Sequence, residues 1–219
     1  MAAKKDTVIL RGAKLVKKAI ATASASGILS SPEPMPASLA KKMVLPNGEA
    51  ISPGMKTLFA ADTTFIGIDY DDEEGEIEGM SLEDVVEEAF GEEAVAAFGE
   101  AYEMLTEDVV AFGGELSRPA CLYCGTPDEE GEYPVLQLSW EDGVAKVGGF
   151  VPFDVWLAQE LGGLERGKTI GEVPAAYASL PKVLAESNGD GRIVFKPKAG
   201  EGSDEEDEDE DEEDDAGDK

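Results

Sequence analysis

The sequence predicts an α+β fold: one domain on an antiparallel-rich mixed sheet flanked by helices, followed by a disordered acidic C-terminal tail. Three observations lead there. Amphipathic helical stretches stand beside short β-branched and aromatic runs, without the regular strand–helix–strand alternation of a parallel sheet. The turn dipeptide Asp142-Gly143 separates two alternating runs, a strong hairpin signal. The run Asp204–Asp215 consists entirely of acids, so it has nothing to bury and repels itself.

Taken in order, residues 1–30 form a basic, partly helical N-terminal segment. Val8, Leu15, Val16, Ala19 and Ile20 recur among lysines at loosely helical spacing, and Gly27 marks the end of that helix. Such a helix packs on the chain's own acidic body rather than on a membrane. Residues 31–200 form the acidic α+β domain, and residues 201–219 the tail. Thr63–Ile68 has the β-branched and aromatic make-up of a strand, bounded by the acidic loop Asp69–Glu76. Ser81 is a good helix N-cap with Glu83 and Asp84 in the first turn, and Leu82, Val85, Val86, Ala89 and Phe90 line one face behind it. Val95, Phe98, Tyr102 and Leu105 predict a further helix after Gly91. Ala120–Tyr123 and Val135–Trp140 are strand-like, and the second pairs through Asp142-Gly143 with Val144–Val151. Phe153, Trp156, Leu157 and Leu161 mark an amphipathic helix stopped by Gly162-Gly163. A short helix around Ala175–Ala185 and a strand, Arg192–Phe195, complete the domain.

Charge narrows the function. The net charge is −30 over 219 residues, of which residues 201–219 carry −13, leaving −17 on the body. Between Thr57 and Leu116 there are nineteen acids and no Lys or Arg. A field of that sign repels nucleic acid and anionic membranes and attracts basic proteins. No apolar run approaches the ~20 residues of a membrane span, and lysines interrupt the stretch Leu15–Ile20 where a signal peptide needs continuous apolar residues. The expected location is the cytoplasm.

Chemistry is scarce. There is no histidine, so neither a Ser-His-Asp nor a Cys-His catalyst can be built from this chain. Cys121 and Cys124 form a single C-x-x-C pair without partners for a zinc site, and we expect two reduced thiols at a sheet edge. The Gly pairs lack the Lys and Ser/Thr of a phosphate loop. Acid runs such as Asp71-Asp72-Glu73-Glu74 have the character of solvated surface, not of a catalytic pair in contrasting environments. No catalytic residue, metal ligand or cofactor is therefore assigned.

One stretch carries a family signal. Pro36-Ala37-Ser38-Leu39, then Leu45-Pro46-Asn47-Gly48 and Pro53-Gly54-Met55-Lys56-Thr57-Leu58 through Asp62, resembles the bacterial SUKH superfamily. The resemblance covers about residues 34–165, with Gly54 where the pattern has Ser and with a long acidic insert at Asp69–Glu78. It implies an α+β domain that works by binding, similar to immunity proteins that neutralise nuclease or deaminase toxins.

These readings give an acidic, non-enzymatic protein that blocks a basic partner, a toxin of nuclease or deaminase type. The partner-binding residues expected are Asp69, Tyr70, Asp71, Asp72, Glu73, Glu74, Glu76, Glu78, Glu83, Asp84, Glu87 and Glu88, with Trp140 as a further anchor unless it packs in the core. A second reading is a general acidic chaperone or scaffold acting through its tail. A third is a carboxylate- or metal-dependent enzyme.

Overall fold

A computed structural model describes residues 10–113, 119–141, 144–164, 184–187 and 193–196. Four strands, β1 (Val109–Phe112), β2 (Ala120–Tyr123), β3 (Pro134–Glu141) and β4 (Val144–Pro152), pair in the order β1-β2-β3-β4, every neighbour antiparallel. The expected mixed sheet is thus an antiparallel meander; the one parallel pairing among the described residues is the isolated bridge Val44–Glu76. Asp142-Gly143 lies outside the described residues, but the hairpin it was expected to close is present, with Glu141 opposite Val144.

The sheet is covered on both faces, which its sequence records. Along β2 all four residues are buried, as expected where a strand must be apolar on both sides. Val110, Phe112, Ala120, Leu122 and Val135 point into one core, against the helices α1 (Gly12–Ser26), α3 (Pro53–Phe59) and α7 (Phe153–Glu160). Val109, Cys121, Tyr123, Leu136, Leu138 and Val147 point into a second core, under α4 (Leu82–Phe90), α5 (Glu92–Val95) and α6 (Gly99–Met104). The short helix α2 (Ala37–Ala40) lies at the rim of the first core.

Helix α1 belongs to the domain. Leu15, Val16, Ala19 and Ala23 bury the i, i+4 face that the spacing predicts, Gly27 ends the helix in the left-handed conformation at φ 79°, and the helix packs on α3 and α7. Gly163, after α7, lies so close that a Cβ there would come within 3.0 Å of Ala19.

Three local expectations give way to tertiary structure. Thr63–Ile68 is a turn, not a strand. The buried Asp62 carboxylate accepts from Thr64 N at 2.9 Å and Thr64 Oγ1 at 2.8 Å, and Gly67 takes φ 55°, so the side-chain bond replaces a ladder. The helix marked by Val95–Leu105 breaks into α5, a 3-10 turn at Ala96–Phe98, and α6. The helix expected around Ala175–Ala185 falls mostly outside the described residues; where the chain is described, Leu184–Ser187 is strand β5, paired antiparallel with β6 (Ile193–Lys196), which runs beside β4. The tail, residues 201–219, also lies outside the described residues.

Candidate functional site

The acidic segment is a closed turn. Tyr70 and Ile77 form an antiparallel bridge, Asp71 N donates to the Glu76 carbonyl, and Glu78 N donates to that of Asp69. Inside it the Asp71 carboxylate accepts from Glu73 N at 2.8 Å and Glu74 N at 2.6 Å, and these two amides hold its pKa below the usual carboxylate range. Helix α4 follows. Ser81 Oγ accepts from Asp84 N, and the Asp84 carboxylate accepts from Ser81 N, a complete capping box.

All eleven acids assigned to partner binding are exposed: Asp69, Asp71, Asp72, Glu73, Glu74, Glu76 and Glu78 on the turn, and Glu83, Asp84, Glu87 and Glu88 on α4. None is in an ion pair among the described residues. Two of them, Asp71 and Asp84, spend their carboxylates on local backbone, leaving the others facing outward. Lys42 reaches the turn, but its ammonium meets the Glu73 carbonyl at 3.2 Å, not a carboxylate. Tyr70 is half-buried against the first core. Trp140 is half-buried against the second, its Nε1 enclosed without a hydrogen-bond partner among the described residues; it is a packing residue.

A second group of acids behaves in the opposite way. Asp128, Glu132 and Asp154 are buried where the N-termini of α1, α3 and α7 converge. Arg11 Nε binds Asp154 at 2.8 Å and its Nη2 binds Asp128 at 2.5 Å, while Gly12 N, the first amide of α1, donates to Asp154. Burial alone would disfavour the guanidinium's charge, but its bonds to Asp154 and Asp128 outweigh this and raise its pKa. Gly54 N, in the first turn of α3, donates to Glu132 Oε1 at 2.7 Å, and the hydroxyl of Ser52 bonds Glu132 while capping Met55 N. Helix N-termini favour negative charge, so carboxylates from distant segments cap two helices. A Cβ at position 54 would meet Glu132 Oε2 at 2.7 Å and Phe153 Cδ1 at 3.1 Å, so a larger residue there would displace the carboxylate. Burial pushes Glu132 up to about 7, and the charges of Asp154 and Asp128 add to the effect. Asp128 also organises its own loop, accepting from Glu130 N and Glu132 N at 2.9 Å each.

Sequence reasoning missed this cluster. The run Asp128-Glu129-Glu130 has the solvated appearance of the other acidic runs, and its partner Arg11 lies 117 residues away. Only the lone Arg among N-terminal lysines hinted at it, since a bidentate carboxylate site selects Arg over Lys.

A third feature is a cavity of about 660 Å³ at the end of β2, lined by Asn47, Glu49, Glu107, Tyr123, Cys124 and Tyr133 among others. Asn47 Nδ2 donates to the Cys124 carbonyl at 2.6 Å, and its Oδ1 accepts from Glu49 N. Cys121 and Cys124 are free and buried, and they belong to an inner strand and its end, not to the sheet edge expected. Burial pushes the Cys124 thiol up to about 12, reinforced by Asp108 and Glu107, so it is an inert thiol near neutral pH. Among the described residues no group of His, Cys, Asp and Glu is arranged to hold a metal ion, and no helix is long and apolar enough to cross a membrane.

Comparison with protein-family models, with curated proteins and with solved structures found no match.

Proposed function

We propose that this chain is a non-catalytic binding protein of the immunity or antitoxin type, whose acidic face captures a basic partner and occludes its active surface. The observation that carries the reading is the set of exposed carboxylates on the 69–78 turn and α4, none of them ion-paired among the described residues. Uncompensated like charge on a folded face works against stability, and it is useful where complementary charge speeds association and selects a partner. The turn is held by backbone bonds, so the face is offered pre-organised, which lowers the entropy lost on binding. A nuclease- or deaminase-like toxin is the fitting partner class, because its own substrate groove is basic; the SUKH-like run at residues 36–62 supports the same class, and the site of action is the cytoplasm.

The test compares three forms of the protein as bait in the native cell lysate: the full chain, residues 1–200, and a face variant carrying Asp72→Asn, Glu73→Gln, Glu74→Gln, Glu83→Gln and Glu87→Gln. The reading expects one stoichiometric basic partner, retained by the truncation and lost by the face variant. Binding that disappears with residues 201–219 and survives face neutralisation would establish the tail as the binding element and the protein as a polyanionic scaffold.

A further inference from the structure

The bases of this chain are not scattered among its acids. Residues 7–61 hold seven bases and only two acids, Glu33 and Glu49, in a chain of net charge −30. One of the seven, Arg11, is spent on Asp128 and Asp154. On α1, Lys17 and Lys18 stand three and four residues after Lys14, so the three share one side of the helix, and all are exposed. Lys56 is exposed on α3, which packs against α1. None of these four lysines is in an ion pair among the described residues, and neither helix contains an acid. The acids of α4 lie over the second core, on the other face of the sheet. The fold therefore has a lysine side and an acidic side, with the sheet between them.

An open row of ammonium groups on two neighbouring helices is complementary to an extended polyanion, which can meet several of them at once without a cavity. Each such surface pair contributes little, so the contact depends on many acids in series and on their being held nearby. The chain itself supplies both conditions. Residues 204–215 are twelve consecutive acids. Eight residues carry the chain from Lys196, the end of β6, to Asp204, a reach of roughly 26–29 Å when extended. Strand β6 runs beside β4, β4 leads directly into α7, and α7 packs on α1, so a short succession of packed elements separates the tether from the lysines. A segment on a short tether acts at an effective concentration of order mM, which an acidic partner free in solution, or the acidic face of a second copy, would have to match.

We infer that the acidic segment 204–215 docks on the exposed lysines of α1 and α3 within the same chain. The docked segment neutralises the lysine side, shields it from the acidic face of a second copy, and leaves the acidic face as the charged surface offered to other molecules. The inference does not rest on the identity or existence of a toxin partner.

The experiment places a nitroxide on the full-length protein through Ala216→Cys and follows the paramagnetic loss of backbone amide signals by NMR. Cys121 and Cys124 are buried and stay unlabelled in the folded protein. The expected result at low ionic strength is loss of signal at residues 13–22 and 54–58, with residues 82–90 of α4 spared. The lost signals should return at about 1 M salt, where the Debye length is about 3 Å. They should also return in a Lys14→Gln/Lys17→Gln/Lys18→Gln/Lys56→Gln variant with an unchanged melting curve. A mixture of labelled protein with separately isotope-enriched, unlabelled protein should show no loss, because the contact is within one chain. Signal loss that is unchanged in the four-lysine variant, spread evenly over the domain, or present only in the mixture would overturn the inference. Each of those results leaves the acidic-face reading standing, and failure of the face variant to lose its partner would damage that reading without touching this one.

Discussion

The carboxylates at the junction of α1, α3 and α7 and those of the 69–78 turn are the same functional groups in opposite settings. Asp128, Glu132 and Asp154 are enclosed: Asp128 and Asp154 share the Arg11 guanidinium, and Asp154 and Glu132 accept from helix amides. Asp72, Glu73, Glu74 and their neighbours are exposed and have no cation partner among the described residues. Charge enclosed in a fold is tolerated only when paired or neutralised, whereas charge in water costs little to keep and projects a field. The difference separates the acids that build this protein from the acids available to act on something else.

That contrast can be broken most severely at Arg11. Arg11→Ala leaves Asp128 and Asp154 buried without their cation and should destabilise the protein by about 3–5 kcal/mol in denaturant unfolding, as expected for a broken buried pair. Arg11→Lys should recover only part of this, since an ammonium cannot make the forked contact to both carboxylates. A loss below about 1 kcal/mol for Arg11→Ala, the range of a surface ion pair, would erase the distinction between the two regions.

The next effect is on pH. An unfolded glutamate titrates near 4.5 and Glu132 in the fold near 7. Between these values the native state holds a proton that the unfolded chain has released, so Glu132's contribution is fully present below about 4.5 and is lost as pH rises through 7. The interval is worth about 3 kcal/mol at most. Glu132→Gln should flatten the stability profile there, whereas Glu73→Gln on the exposed turn should leave its slope unchanged. A profile as steep in Glu132→Gln as in the parent would show that the carboxyl does not carry the proton. Smaller again is Gly54→Ala, which places a Cβ 2.7 Å from Glu132 Oε2. It should lower stability by about 1–3 kcal/mol through overpacking, chiefly in the pH range where Glu132 is charged.

The same contrast explains what the sequence could and could not reveal. Strands β2 to β4 and helices α4 and α7 were legible because their apolar spacing, the cap at Ser81 and the stop at Gly162-Gly163 are local. The turn at Thr63–Ile68 was not, since Asp62 and Gly67 override a strand-like composition through a side-chain bond and a positive φ. The exposed acids were legible as a set, but not the use of Asp71 and Asp84 as local braces. The buried cluster was hidden altogether, because it joins Arg11 to Asp154 across 143 residues and composition carries no record of such a meeting. Nor could spacing place Cys121 on an inner strand, which depends on β1 pairing outside it.

The most direct test of the division between structural and steering acids is the association rate of the captured partner with the parent and with the five-site face variant, measured from low to high salt. The account predicts a fast rate for the parent that falls steeply as salt screens the face, a slower and nearly salt-independent rate for the variant, and a variant that is folded and no less stable than the parent, because like-charge repulsion has been relieved. Equal rates and equal salt slopes would contradict it, and would mean that the exposed acids play no part in capture.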